Sequence, residues 1–114
     1  MNVDDFLKKL ESTPDKMDFN ELITLVDSHY TFSETAFDNG DLHNSAGENS
    51  GSCKLFSFAK LNNLDKDQTL ACFGEYYRND VLQHPDADNH QNIRNFMKTG
   101  WKGISFDKEA LLPK

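Results

Sequence analysis

The chain is short of basic residues, short of cysteine and free of long apolar runs. Twelve Lys and Arg stand against nineteen Asp and Glu, giving a formal charge of -7. That balance argues against nucleic acid and anionic membranes as main partners, because both select a basic surface. No apolar stretch approaches the roughly 18 residues that a membrane-spanning helix needs. The start, Met1-Asn2-Val3-Asp4-Asp5, is acidic and lacks the apolar centre of a signal peptide, so the expected location is the cytoplasm. Cysteine occurs only as Cys53 and Cys72. Their spacing fits neither a CxxC redox pair nor a short zinc pair, and their apolar surroundings point to reduced interior thiols. Internal repeats and low-complexity linkers are missing too.

What is present suits one small domain. The length of 114 residues falls in the single-domain range. Apolar content is modest at 37%, yet nine Phe, three Tyr and one Trp supply enough bulk for one core. Val3, Phe6, Leu7 and Leu10 share one helical face, which Thr13-Pro14 ends. Asp18 with Glu21 reads as a capping box ahead of the stripe Phe19, Leu22, Ile23, Val26 and Tyr30. Residues 30–37 turn to β-formers, and Asn39-Gly40 between Phe37 and Leu42 predicts a type I′ hairpin over about 31–44. A helix over about 53–63 is apolar around most of its circumference and is expected at the centre. Asp65 with Gln68 opens a further helix expected to run to about Leu82, and Gly74 within it implies a close neighbour. Asp88 with Gln91 opens another, with Gly100 just past its end. Residues 103–106 read as one more strand, and 107–114 are left open. The expected fold class is α+β: a single domain over 1–114, mostly helical, with a short antiparallel hairpin and one further short strand.

Three segments have the residue types that chemistry uses. Gly47 to Lys54 is a Gly/Ser/Asn loop opening a helix, where unpaired N–H groups suit an anion. It misses the Walker A spacing, since Lys54 comes three residues after Gly51 and Glu48 puts negative charge where phosphate would lie. Its plain reading is a tight turn with Ser50 or Ser52 as N-cap. Cys53, near that helix start, is a candidate nucleophile with His43, His84 or His90 as base; its apolar neighbours favour a buried, inert thiol. Asp86, Asp88 and His90 alternate as in an EF-hand loop, but Gln91 stands where that loop needs Gly and Met97 where it needs Glu. A polar loop capping a helix is the simpler reading, so no metal and no cofactor is expected. Tyr76 to Asp80, with Asn92, Arg94 and Asn95, forms either a buried hydrogen-bonded network or a polar pocket, and the network is favoured. If a pocket forms, Cys53, His90 and Glu48 are its catalytic candidates, and Asn49, Ser52, Lys54 and Arg94 its ligand-binding candidates.

Several blocks carry a resemblance. Thr35-Ala36-Phe37-x-Asn39-Gly40, Ala46-Gly47-Glu48-Asn49-x-Gly51-Ser52-Cys53-Lys54, Thr69-Leu70-x-Cys72-Phe73-Gly74-x-Tyr76-Tyr77-Arg78 and His90-x-Asn92-Ile93-Arg94-x-Phe96-Met97 occur in order and resemble the HopJ type III effector family. The resemblance covers about residues 30–106. It implies kinship with bacterial proteins delivered into plant cells by type III secretion, and it implies no enzymatic activity, cofactor or catalytic residue. Such effectors often start Ser-rich and acid-poor; here Asp4, Asp5 and Glu11 precede the first serine, Ser12, so secretion is not expected of this chain on that ground. The expected function is therefore a non-catalytic, monomeric protein-interaction domain of unestablished biochemical activity. The alternative is a small enzyme or ligand-binding protein with a polar pocket around Cys53 and His90.

Overall fold

The computed structural model describes residues 2–114. Helix α1 (Val3–Ser12) starts on Asn2, whose side chain accepts from the Asp5 N–H, and buries Phe6 and Leu10. A 3₁₀ turn at Pro14–Lys16 leads to α2 (Phe19–His29). Asp18 caps α2 by accepting from Asn20 N–H, but the expected capping box with Glu21 does not form, because the Glu21 carboxylate pairs with Lys9 of α1 at 2.8 Å. Strands β1 (Tyr30–Phe32), β2 (Phe37–Asn39) and β3 (Leu42–Asn44) follow, then α3 (Ser50–Leu61) and α4 (Lys66–Ala71). A π-helical segment, Tyr76–Val81, precedes α5 (Gln91–Thr99), a 3₁₀ turn, β4 (Ile104–Phe106) and β5 (Leu111–Pro113). The fold is α+β, with two small antiparallel sheets ordered β1-β5 and β3-β2-β4.

The core forms around α3, which buries Cys53, Leu55, Phe56, Ser57, Phe58 and Ala59 in its middle. Phe56 is fully buried, and its ring centroid lies 5.0 Å from Phe96, 5.5 Å from Phe73 and 6.0 Å from Phe37. Phe58, two residues on, meets Phe6 and Tyr30 edge to face. A helix apolar on every side has to be surrounded, and this one is.

Four further details differ from the sequence reading. The hairpin covers 37–44 rather than 31–44, because β1 leaves it to pair with β5 at the other end of the chain. Its turn is Gly40-Asp41, with Asn39 still in register opposite Leu42. Gly40 alone has positive φ (62°), as a II′ turn needs, so Asn39 is not a turn residue. The helix from Lys66 ends at Ala71 instead of running to Leu82. Gly74 turns the chain with φ 63°, and a Cβ there would lie 2.9 Å from both the Met17 carbonyl oxygen and the Phe19 nitrogen. Finally, α5 starts at Gln91 on His90, with no Asp88 capping box. The Asp65–Gln68 capping box and the Gly100 helix end are as expected.

Candidate functional site: a cleft between two helix starts

The start of α3 and the start of α5 are built alike. Each follows a residue in the left-handed region, Asn49 (φ 50°, ψ 46°) and His90 (φ 52°, ψ 49°), and neither has a side-chain cap. Non-glycine residues adopt this conformation at some cost, so surrounding contacts must hold it. Ser50, expected as a cap, donates instead to the Gly47 carbonyl at 3.4 Å. The first N–H groups of a helix have no partner within it. Here both sets lie beside one cleft of about 490 Å³, lined by Asn49, Gly51 and Ser52 from one side and His90, Gln91 and Asn92 from the other. Phe19, Phe73 and Tyr76 add apolar wall. Gly51 lets the Phe19 ring close in, since a Cβ there would lie 2.9 Å from the ring tip.

Four asparagines hold the two helix starts together. The Asn49 side chain donates to Asn44 Oδ1 at 2.7 Å, and Asn92 donates to the same oxygen at 3.0 Å. Asn92 Oδ1 accepts from Asn39 at 3.0 Å and from Asn44 at 3.3 Å. Asn39 also donates to the Asn92 carbonyl at 2.7 Å, and Asn95 donates to the Asn39 carbonyl at 3.1 Å. Asn39 and Asn44 are fully buried and Asn92 nearly so. The hairpin thus delivers two amides into the interior, and these bind the residue before α3 to the first turn of α5. Buried amides persist only when bonded, which makes the network specific in geometry. Asn39 Oδ1 is buried there without a hydrogen-bond partner.

The candidate residues separate accordingly. Asn49, Ser52 and His90 line the cleft. The His90 ring lies against Tyr76, with centroids 5.2 Å apart, and its Nε2 is 3.0 Å from Asp80 Oδ2. Cys53 does not line it: the thiol is buried, faces the Thr35 carbonyl at 3.7 Å, and burial pushes its pKa up. Cys72 is likewise pushed up, to about 12, and both cysteines are free. Glu48 is exposed and closes its own turn by accepting from Ser45 N–H at 2.9 Å, the bond that lowers its pKa. Lys54 reaches Asp27 at 2.9 Å and covers the Phe32 ring. Arg94 clamps the preceding loop through Asn89 and the Pro85 carbonyl. Asp86 and Asp88 are exposed, and among the described residues no group of three His, Cys, Asp or Glu is placed to hold a metal ion. Asn39 and Asn44, which orient the whole cleft, were missed as site residues. Their only sequence signal is the density of Asn in the hairpin and α5 blocks.

The cleft brings the Ser52 hydroxyl and the His90 imidazole, with Asp80 behind it, into one lining. It offers hydrogen-bond donors, one imidazole and aromatic wall, and no Asp or Glu lines it although the chain carries nineteen. No curated protein matches the chain. A solved structure described as the crystal structure of the unknown function protein VPA0580 is 52% identical, with a TM-score of 0.98, covering 100% of this chain and 95% of that one. The sequence matches the HopJ type III effector protein description over residues 3–111, and no helix among the described residues is long and apolar enough to cross a membrane. A match over nearly the whole length, on the blocks that build the core and the cleft, shows that the chain belongs to the HopJ type III effector protein family.

Proposed function

We propose that this HopJ-family chain is a non-catalytic recognition domain that takes an acidic side chain of a partner protein into the cleft between α3 and α5. One observation carries the reading: two uncapped helix starts open on a single cleft that has no carboxylate in its lining, within an acidic chain. Helix N-termini favour negative charge through their free N–H groups and their dipole. Phe19 and Tyr76 give the stem of an Asp or Glu side chain apolar surface. Cys53, a buried thiol with raised pKa outside the cleft lining, supports the non-catalytic part of this reading. A thiol of that kind is a poor nucleophile.

The test is a titration of the ¹⁵N-labelled protein with a short Glu-containing peptide and its Gln counterpart. The expected result is saturable shifts at Gly51, Ser52, Gln91 and Asn92 with the Glu peptide, lost in Ser52→Glu. Equal shifts with the Gln peptide, or shifts confined to other regions, would show the reading to be wrong.

A further inference from the structure

A second groove lies at the other end of α3. It has a volume of about 470 Å³ and is bounded by the last turns of α3 on one side and the 106–111 segment on the other. Ser57, Lys60 and Leu61 fall on one helical face, three and four residues apart. Opposite them stand Phe106, Lys108 and Leu111. The groove is mostly apolar with a few polar groups on each side, the usual make-up of a small-ligand site.

Three observations specify the ligand's chemistry. First, Lys60 and Lys108 both line the groove, and neither belongs to an ion pair among the described residues, although acidic residues outnumber basic ones in the chain. Lys60 is held over the face of Phe106, 5.5 Å from its centroid, so its ammonium is kept at the groove. Second, the Ser57 side chain is buried, and its hydroxyl has no oxygen or nitrogen partner, only the Cys53 sulfur. The polar group beside it is the Cys53 thiol, one turn back, which is itself aimed at the Thr35 carbonyl and is a weak hydrogen-bonding group. A buried hydroxyl left unpaired is unfavourable, and an oxygen acceptor would relieve it. Third, Leu61, 47% exposed, leaves apolar surface beside the lysines. Glu109 also borders the groove, and it disfavours a ligand with more than one negative charge.

We propose that the groove between the second half of α3 and the 106–111 segment binds a small monocarboxylate with an apolar body. The carboxylate lies between Lys60 and Lys108 and accepts from the Ser57 hydroxyl once that side chain rotates toward the groove, since its oxygen is otherwise sealed off; the apolar body lies on Leu61, Phe106 and Leu111. This inference is independent of the cleft at the other end of α3, and failure of either leaves the other standing.

Octanoate, below its micellar range, is the probe, with octanol as the uncharged control of the same length. Titration of the ¹⁵N-labelled full chain is expected to shift Ser57, Lys60, Leu61 and the 106–111 amides. Octanoate is expected to bind about fivefold more tightly than octanol, the scale of two partly exposed ion pairs. In Lys60→Gln/Lys108→Gln, both exposed positions whose change leaves the core intact, that advantage should vanish while octanol binding persists. Ser57→Ala should weaken octanoate and leave octanol unchanged, with the fold checked by its amide spectrum. Equal affinity for octanoate and octanol, an advantage that survives the double Gln variant, or shifts located at Gly51 and Gln91 instead would each overturn the proposal.

Discussion

At its first turn α3 meets polar groups: Asn49 reaches Asn44, which reaches Asn92, which reaches Asn39. One turn further on, the same helix meets rings, with Phe56 in contact with Phe37, Phe73 and Phe96. The two regions share neighbours but do different work. Apolar contact is non-directional, so the Phe56 cluster supplies stability and tolerates some repacking. Amide contacts are directional, so the asparagine network sets where the two helix starts sit relative to each other. The cleft depends on the asparagine network, and the existence of the domain depends on the Phe56 cluster.

That division can be broken by substitution. Phe56→Ala should have the largest effect, a loss of about 3–5 kcal/mol, because it removes a fully buried ring from the centre of the core. Urea denaturation measures it; a loss under 1 kcal/mol would mean the hub is elsewhere. Asn92→Ala should cost less, about 1–3 kcal/mol, since it strips partners from Asn39 and Asn44 while the Asn92 carbonyl still accepts from Asn39. Its effect on the cleft should be larger than its effect on stability: the Glu-peptide shifts at Gly51 and Gln91 should weaken or disappear in a protein that is still folded. Should Asn92→Ala bind the peptide as the parent does, the network is not what positions the helix starts.

The smallest effect belongs to the outer face of the hairpin. Asp38 and His43 are opposite each other in register, with Nδ1 2.6 Å from the carboxylate, and that bond raises the His43 pKa above its ordinary 6.5. A group whose folded pKa is raised stabilises most when it is charged. The contribution is therefore complete below pH 6.5 and lost as pH rises through the higher folded value. An NMR titration of the His43 ring should show the raised midpoint, and Asp38→Asn should bring it down with little change in melting temperature. An unchanged midpoint in Asp38→Asn would assign the shift to the more distant Asp107 and Glu48 charges.

The same hairpin shows how far the sequence could be read. Asn39-Gly40 announced a tight turn, and a tight turn is there, one residue later. The turn signal is local, so its approximate place was legible. Whether Asn39 serves the turn or the interior depends on Asn92, 53 residues away, and nothing near Asn39 indicates that. Gly74 was legible as a site of close packing, and its neighbour, the Met17–Phe19 backbone, was not. Cys53 and His90 both read as chemistry because each stands near a helix start. The fold puts the thiol into the core and the imidazole into the cleft.

By itself the sequence determined where the helices lie, apart from the break after Ala71, together with the capping box at Asp65, the end at Gly100 and the central place of α3. All of these rest on contacts three or four residues apart, or on one helix being apolar all round. Only the tertiary structure decided that β1 pairs with β5, that four asparagines form one network, and that two helix starts share a cleft. Those features join residues distant along the chain, and the partner of a strand edge or a buried amide is chosen by where the whole core brings it.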